Sequence, residues 1–406
     1  MITVRWADDD VAFPQVEFRR LFRPLKREVP PEAAMVTAYT DGAVTLRSNR
    51  LREGGYHEAI DMSGMQGVHK GDFVVHGLDI LRGSVGISDS TGAISSVCVL
   101  CEPTAQADPR YFAWVIRAQA FSGFPRALAR GVREGGADFR RWDTLAELPV
   151  PAPPISVQTT IANYLDAKTS GIDTLIARKQ RMIELLGQRL NSAIEEELLG
   201  CTPLMIPLRR LLLALPQYGA SETGGIGEDH WPRYIRITDL DSEGQLRMDQ
   251  VLRLPPEVAA PYLLHEGDVL IARSGGTVGK AFRYTSKLGA ACFAGYLIRF
   301  RFDSTMVDSR IVESWTKTQH YWSQVYGSAL QATIQNVSAQ QYLNLLVPVP
   351  SLEDQQRLVN DFSQITTDVK RLIEINERQI CLFQEHRQAL IAAAVTGQLD
   401  LSEVAT

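Results

Sequence analysis

The sequence repeats itself over a long interval. Val150-Pro151-Ala152-Pro153 precedes Gln158, and Val347-Pro348-Val349-Pro350 precedes Gln355, which sets an offset of 197 residues between position 158 and position 355. At this offset, Ile161, Leu165, Ile172, Leu175, Ile176, Ile183, Leu186 and Gly200 match Leu358, Phe362, Val369, Leu372, Ile373, Ile380, Phe383 and Gly397. Solenoid units have only about 20 to 50 residues, so this period indicates a duplicated half. Each half is predicted to be a globular domain followed by one long helix.

The two predicted helices carry apolar residues at alternating steps of three and four, which is the pattern of a coiled-coil seam. The predicted seam consists of Ile161, Leu165, Ile172, Leu175, Leu186, Leu358, Phe362, Val369, Leu372 and Phe383. A helix of about 40 residues is about 60 Å long, and its most economical partner is the other helix, in an antiparallel pair. Polar residues interrupt the seam and either fix its register or lie where it frays: Lys168, Lys179, Arg189, Asn376, Gln379 and His386.

The globular parts share short landmarks. Residues 71–75 (GDFVV) resemble 267–271 (GDVLI), 83–86 (GSVG) resemble 276–279 (GTVG), and 18–21 (FRRL) resemble 208–211 (LRRL). Strand-like runs between glycine-rich turns predict an α+β fold for both parts. The predicted organisation is a first globular domain over 1–150, a helix over 151–200, a second globular domain over 201–347, and a second helix over 348–406.

Composition bounds the class of protein. With 406 residues the chain is too long for one core, and its 45% hydrophobic and 22% charged residues are typical of soluble globular proteins. It contains neither an apolar run of about 18 residues nor a secretion signal, so we expect an intracellular protein without a membrane span. The net charge is −5, yet residues 16–145 hold 17 Lys+Arg against 15 Asp+Glu, and residues 205–346 hold 14 against 13. This slightly basic balance permits a phosphate-contacting face on each globular part.

The motifs of several enzyme classes are incomplete. Residues 274–280 (SGGTVGK) are not a phosphate-binding loop, because Ser274 replaces the first glycine and Ala281 replaces the hydroxyl residue that binds magnesium. Residues 108–111 (DPRY) approach the (Asn/Asp)-Pro-Pro-(Tyr/Phe) motif of amino-methyltransferases, but Arg110 stands in place of the second proline. Cys98 and Cys101 lie in an apolar run and are expected to be buried strand residues. We therefore predict no catalytic residue and no metal site in this chain.

Two sets of polar residues are candidates for DNA binding. The first set precedes the proline-rich segments: Arg126, Arg130, Arg133 and Arg140 in the first half, and Gln331, Gln335 and Asn336 in the second. Arginine can hydrogen-bond guanine in a bidentate manner, and glutamine or asparagine can do so with adenine. The second set lies at a glycine-rich hairpin: Arg273, Ser274, Lys280 and Arg283, matched by His76, Arg82 and Ser84. For each of these residues an ordinary solvated surface position remains the alternative.

The proline-rich segments, the glutamine after each, residues 267–275 (GDVLIARSG) and residues 387–397 (RQALIAAAVTG) resemble the specificity (S) subunit of type I restriction-modification enzymes. The resemblance covers nearly the whole chain and is strongest from residue 145 onward. It implies two target-recognition domains, each reading one half of a split, asymmetric site in double-stranded DNA. The paired helices would set the spacing and dock two methylation (M) subunits, which restriction (R) subunits can join.

The resemblance also implies where chemistry would reside. S-adenosylmethionine, ATP and magnesium would be bound by the partner subunits, and this chain would be a non-catalytic protein of the prokaryotic cytoplasm that directs DNA methylation. Two other hypotheses about function remain. One is a scaffold whose globular parts bind proteins, which the near-neutral segments permit. The other is a self-sufficient methyltransferase or nuclease, which the incomplete motifs disfavour.

Overall fold

The computed structural model describes residues 6, 11–50, 64–124, 139–241, 244, 246, 247, 251–329 and 336–399. The chain forms two compact units, one comprising Met1–Lys179 with Arg378–Thr406 and the other Gln180–Glu377. Each unit contains one globular part and one half of each long helix. The predicted α+β class and the internal duplication are confirmed.

The first unit is built around a four-stranded antiparallel sheet in the order β2-β9-β6-β7, accompanied by three two-stranded antiparallel ladders, β1-β10, β3-β4 and β5-β8. Its elements are β1 (Gln15–Glu17), β2 (Phe22–Leu25), β3 (Val36–Ala38), β4 (Val44–Leu46), β5 (Met65–Val68), β6 (Phe73–His76), β7 (Val85–Ile87), β8 (Gly92–Ser95), β9 (Cys98–Pro103), α1 (Pro109–Ser122), α2 (Trp142–Ala146), β10 (Pro149–Pro151) and the first half of α3 (Ile155–Gly200).

The second unit repeats this plan with the sheet order β12-β17-β14-β15 and the ladder β11-β18, but its β13-β16 ladder is parallel. Its elements are β11 (Leu204–Pro207), β12 (Gln217–Tyr218), β13 (Arg233–Ile235), α4 (Pro256–Ala259), β14 (Val269–Ala272), β15 (Ala281–Arg283), β16 (Ala291–Phe293), β17 (Leu297–Phe300), α5 (Ser309–Trp315), α6 (Gln319–Ala329), α7 (Ala339–Tyr342), β18 (Leu346–Val349) and the first half of α8 (Leu352–Thr396). No helix in the described part of the chain is long and apolar enough to cross a membrane.

The same turn introduces the central apolar strand of each sheet. Gly71 (φ +96°) and Gly267 (φ +82°) adopt the left-handed conformation that glycine tolerates best. The aspartate that follows, Asp72 or Asp268, accepts a 2.8 Å hydrogen bond from the backbone N three residues earlier. Each aspartate also pairs with an arginine, at 3.1 Å and 2.7 Å respectively: Arg27 and Arg301. The shared Gly-Asp landmark is therefore a turn that fixes where the strand begins.

A buried glutamine fixes the start of α3 to the first globular part. The Gln158 side-chain oxygen accepts a 2.9 Å hydrogen bond from the backbone N of Asp108, the N-cap of α1. Its amide nitrogen donates to the backbone oxygens of Pro153 at 2.8 Å and Gln106 at 3.0 Å. Because Gln158 is only 1% exposed, these bonds satisfy an amide that would be costly to bury alone.

Gln355 makes the same three hydrogen bonds at the start of α8. Its oxygen accepts from the backbone N of Asp308 at 2.7 Å, and its nitrogen donates to Pro350 at 3.0 Å and to Met306 at 3.1 Å. Asp308 is the N-cap of α5, the counterpart of α1. The glutamine that follows each proline-rich segment thus has one structural role in both halves.

The two long helices run antiparallel within the first unit. Ile161 and Leu165 of α3 share an apolar core with Ile391 and Val395 of α8, and the same core includes Phe112 of α1. Further along α3, Asp173 pairs with Arg387 at 2.9 Å. As the residue numbers rise along α3, the residue numbers of the contacting side chains on α8 fall, so the two helices run in opposite directions.

The second unit shows the same arrangement with the other halves of the helices. Ile194 and Leu198 of α3 share a core with Leu358 and Phe362 of α8. Glu197 lies 3.9 Å from Arg357. In each unit, the long helices share an apolar core with residues of the globular part.

Two predicted seam positions are corrected. Leu175 and Leu372 are 41% and 47% exposed, whereas the next residues, Ile176 and Ile373, are partly buried. A buried polar residue, Thr169, occupies the preceding inward position and donates its hydroxyl to a helical carbonyl. A pattern of apolar residues alone therefore selects the residue beside the inward-facing one. Because the sequence is duplicated, the same error occurs at Leu175 and at Leu372. Of the other predicted positions, Ile161, Leu165, Ile172, Leu358 and Phe362 are buried, and Leu186, Val369 and Phe383 are partly buried.

Replacing Gln158 by alanine is expected to reduce the free energy of unfolding by roughly 2–3 kcal/mol, because three buried backbone groups lose their partner. Chemical denaturation of the purified chain measures the change. The control is Gln188→Ala on the exposed surface of α3. Equal stability of the two variants would contradict the role given to Gln158.

Candidate nucleic-acid interface

An exposed aromatic and basic patch lies where β14 ends. Arg273 follows this buried strand, and its backbone N donates to the backbone oxygen of Tyr296 at 3.0 Å. Its guanidinium lies over the ring of Tyr218, 4.8 Å from the ring centroid. Ser274 forms a β-bridge with Asn336. We call Tyr218, Arg273, Tyr296 and Asn336 the Arg273 patch.

The Arg273 patch has the chemistry of a nucleic-acid contact surface. Tyr218 and Tyr296 are 40% and 62% exposed, and Asn336 is also exposed. The Nε of Arg273 is buried and has no hydrogen-bond partner within the described part of the chain, while the guanidinium lies over the Tyr218 ring. An arginine fixed in this way loses little entropy on forming a bidentate hydrogen bond to a base edge or a phosphate.

The first unit has the same backbone arrangement but different side chains. Gly77 follows β6, and its backbone oxygen accepts from Phe139 N at 3.1 Å, as that of Arg273 accepts from Val337 N at 2.8 Å. A Cβ at Gly77 would lie 2.6 Å from the backbone of Arg140, so a side chain here would force the segments apart. Arg140 itself is exposed. The two units therefore present different residues from one framework.

Three hairpin candidates of the first unit have mainly local contacts. The Nδ1 of His76 accepts a 3.0 Å hydrogen bond from Asp79 N, which holds the ring against its own turn. Arg82 is well exposed and lies 3.7 Å from Asp79. Ser84 is only 1% exposed, so the expectation that it contacts DNA is corrected: it is a core residue in this structure.

The hairpin candidates of the second unit do not form one face with Arg273. The Nζ of Lys280 donates to the Asp241 backbone oxygen at 3.3 Å and lines a cavity beside the long helices. Arg283 is ion-paired with Glu313 at 2.8 Å and Glu266 at 3.4 Å, so its charge is balanced within the protein. Ser274 is half-buried next to Arg273. Arg126, Arg130, Arg133, Gln331 and Gln335 lie outside the described residues.

The tyrosines of the Arg273 patch were not predicted. Tyr218 belongs to a two-residue strand, and Tyr296 lies in the turn before β17. Tyrosine is as common in protein cores as on binding surfaces, so the sequence carries no signal that distinguishes the two environments. The fold brings the Tyr218 ring and the backbone of Tyr296 to Arg273 by pairing β12 with β17 and β17 with β14.

The described residues contain no group of three potential metal ligands close enough together to hold an ion. Cys98 and Cys101 are buried on β9 as free thiols. Burial raises the pKa of Cys98 to about 12, with a smaller contribution from Asp79, and burial also raises the pKa of Cys101. Both side chains therefore remain neutral near pH 7, which disfavours their use as thiolate ligands.

No protein-family model and no curated protein matches the chain. Solved structures do match it. One, described as the structural basis of complex assembly and conformational transition of the type I R-M system, aligns with a TM-score of 0.70 at 14% identity, over 95% of this chain and 98% of that chain.

Two further matches are more distant. They are the HsdS subunit from Thermoanaerobacter tengcongensis (TM-score 0.48, 14% identity, 95% of this chain and 97% of that chain) and the type I restriction-modification S subunit from M. genitalium (TM-score 0.40, 13% identity, 96% and 97%). The first alignment covers nearly the whole of both chains at a TM-score of 0.70. The chain therefore shares its fold with that chain of a type I R-M system.

Proposed function

We propose that this chain is the DNA-specificity subunit of a type I restriction-modification complex. The observation that carries the proposal is the pair of globular parts that share one buried framework and differ at the corresponding exposed edge. Arg273 stands in the second unit where Gly77 stands in the first. Two domains of this kind are suited to reading two different halves of a split, asymmetric DNA site.

Base readout and affinity would come from different groups. Arginine and asparagine of the Arg273 patch are suited to base edges, while its tyrosines are suited to sugar and phosphate contacts. Sequence-independent phosphate contacts would supply much of the affinity and make it sensitive to salt. The chain's own residues would bind and position DNA, and methylation would be carried out by partner subunits that hold S-adenosylmethionine.

Exposed apolar side chains on the long helices support the docking of protein partners. In the second unit these are Met182 and Leu185 on α3 and Leu372 and Ile375 on α8, which are 44–49% exposed. In the first unit they are Leu175 and Leu382. Apolar side chains repeated along one surface are a common sign of an interface. We propose that two methylation subunits cover these faces, one for each half.

A protein-binding scaffold is the second candidate. It is favoured by loop residues of the second unit that are strongly exposed and apolar: Leu213 at 67%, Leu215 at 86% and Ile226 at 85%. Such residues are suited to a protein surface better than to the DNA backbone. The scaffold would need no DNA sequence preference, which separates the two candidates experimentally.

Methylation mapping tests the proposed function directly. We expect a split adenine-methylation motif in DNA from cells that express this chain together with its methylation subunit, and not in cells that express the methylation subunit alone. The absence of any new motif, with the two proteins shown to be folded and associated, would contradict the specificity role and favour the scaffold.

Arg273→Ala is expected to weaken binding of the assembled complex to its mapped site by about 1–3 kcal/mol, and to relax preference within one half of the site only. Competition binding with single-base variants of the site measures both effects. The control is Lys287→Ala, which removes one positive charge after β15. Since β15 ends beside the start of β14, this lysine lies at the opposite end of the sheet from Arg273. Equal effects of the two changes would exclude base reading by Arg273.

Leu185→Asp combined with Leu382→Asp is expected to weaken association with methylation subunits by roughly tenfold or more, because two exposed leucines lose their apolar contacts. Mass photometry of the mixed subunits measures the association. The matched control places the same charges at exposed polar positions, Gln188→Asp with Gln384→Asp. If both double variants assemble like the unmodified chain, the partners do not use these helix faces.

A further inference from the structure

A cavity of about 570 Å³ lies in the first unit where the globular part meets both long helices. Its walls come from the loop at Asp41 and Gly42, from Trp114 and Arg117 of α1, from α3, and from Arg387 of α8. These residues all belong to one compact unit. The cavity is separate from the Arg273 patch, which belongs to the other unit.

Arg117 is the unusual group in this cavity. It is only 7% exposed, and among the described residues its Nε has no hydrogen-bond partner and no carboxylate lies within ion-pair distance of its guanidinium. Burial is the main cause that lowers its pKa to about 10, the nearby charge of Arg387 adds to this effect, and the charges of Asp41 and Asp173, which lie beyond ion-pair distance, oppose it in part. Arg117 therefore remains a cation at neutral pH, in a place where an uncompensated charge is costly.

The carboxylates around the cavity are already paired with other arginines. Asp41 lies 2.6 Å from Arg50, Asp166 lies 3.4 Å from Arg110, and Asp173 lies 2.9 Å from Arg387. Each of these carboxylates belongs to a separate ion pair, and none of the three pairs includes Arg117. An anion from outside the described residues is the remaining way to balance its charge directly.

The surroundings hold the Arg117 guanidinium in place. Its central carbon lies 4.8 Å from the Trp114 ring centroid, and that of Arg387 lies 5.7 Å from the same ring. The Trp114 ring is fixed by a 2.9 Å hydrogen bond from its Nε1 to Asp166. On the other side, Gly42 (φ +89°) makes room, because a Cβ there would lie 2.5 Å from Arg117 Nη1. Two guanidiniums are thus arranged around one aromatic ring before any ligand binds.

The second unit has a related cavity of about 210 Å³ at the corresponding place. The N-caps of α1 and α5, Asp108 and Asp308, mark equivalent positions, so Lys317 occupies the position of Arg117. Lys317 lines this second cavity together with Lys280 and Lys370. Lys317 lies 3.7 Å from the carboxylate of Glu313, so the two halves share the position of the cation, whereas the unpaired state is particular to Arg117 among these two residues.

We infer that the cavity around Arg117, Arg387 and Trp114 is an oxyanion-binding site, which takes one carboxylate or phosphate group. The planar fork of a guanidinium matches either group, and the burial of Arg117 strengthens a charge-assisted hydrogen bond. Two sources can supply the same chemistry: a small ion free in solution, or an acidic side chain of a bound protein. The free-ion case is independent of the proposed function, whereas the second case rests on it.

Calorimetric titration of the full chain with inorganic phosphate and with acetate, at constant ionic strength in sodium chloride, tests the free-ion case. The variant is Arg117→Met, which keeps a long apolar stem against Trp114 and removes the charge. We expect this variant to weaken oxyanion binding by about tenfold or more. Its Tm in the absence of oxyanion is expected to be unchanged or raised. Arg387→Gln is the second variant, and Arg19→Met, on an exposed arginine of the same unit, is the control.

A second arm tests the protein source by measuring association of each variant with the methylation subunit. Weaker association of Arg117→Met, without small-ion binding to the unmodified chain, would identify a partner carboxylate as the ligand. The inference is overturned if Arg117→Met and Arg387→Gln match the Arg19→Met control in both arms. It is also overturned if Arg117→Met loses its fold without any oxyanion present and Arg387→Gln matches the control in both arms. Methylation mapping with the unmodified chain tests the proposed function independently of these variants.

Discussion

A buried side-chain amide connects each globular part to the long helix that follows it. Gln158 and Gln355 each join three backbone groups that belong to the helix approach and to the segment before α1 or α5. Because these groups are shielded from water, an incorrect docking angle would leave several of them unsatisfied. The apolar core shared by the helices and the globular part supplies most of the burial, but it has little directional preference. The amide therefore selects one orientation among the many that would bury similar area.

Comparison of the two duplicated units distinguishes the features that the fold requires from the residues that can vary at the edges of the sheets. The Gly-Asp turn, the central apolar strand and the glutamine amide occur in both units with nearly the same distances. The variable positions lie where strands leave the sheet. There, Gly77 allows close approach of a neighbouring segment, while Arg273 extends over Tyr218. The exposed side chains at this edge can change without disturbing the core, whereas a side chain at Gly77 itself would force the neighbouring segment away.

Sequence reasoning succeeded where one physical rule governed many residues. The 197-residue offset, the three-four spacing and the proline-rich segments predicted the duplication and the long helices, although the predicted helix segments begin at residues 151 and 348 and the helices begin at Ile155 and Leu352. It failed at Leu175 and Leu372, because the inward positions of a real helix pair include polar residues such as Thr169. It also placed Ser84 on a surface and missed Tyr218 and Tyr296. These positions depend on strand pairing between distant segments, which no local pattern of residue types contains.

The boundary between the compact units crosses both long helices, and this affects the order in which the chain can fold. The second unit, Gln180–Glu377, is continuous in sequence, whereas the first combines Met1–Lys179 with Arg378–Thr406. Ile391, Ala394 and Val395 complete the core around Ile161 and Leu165. During translation, the globular part that is made first therefore cannot complete its core until the residues that follow the entire second unit have been made. Until then its helix surface is open to solvent and to chaperones, so the unit that begins first is the one that finishes last.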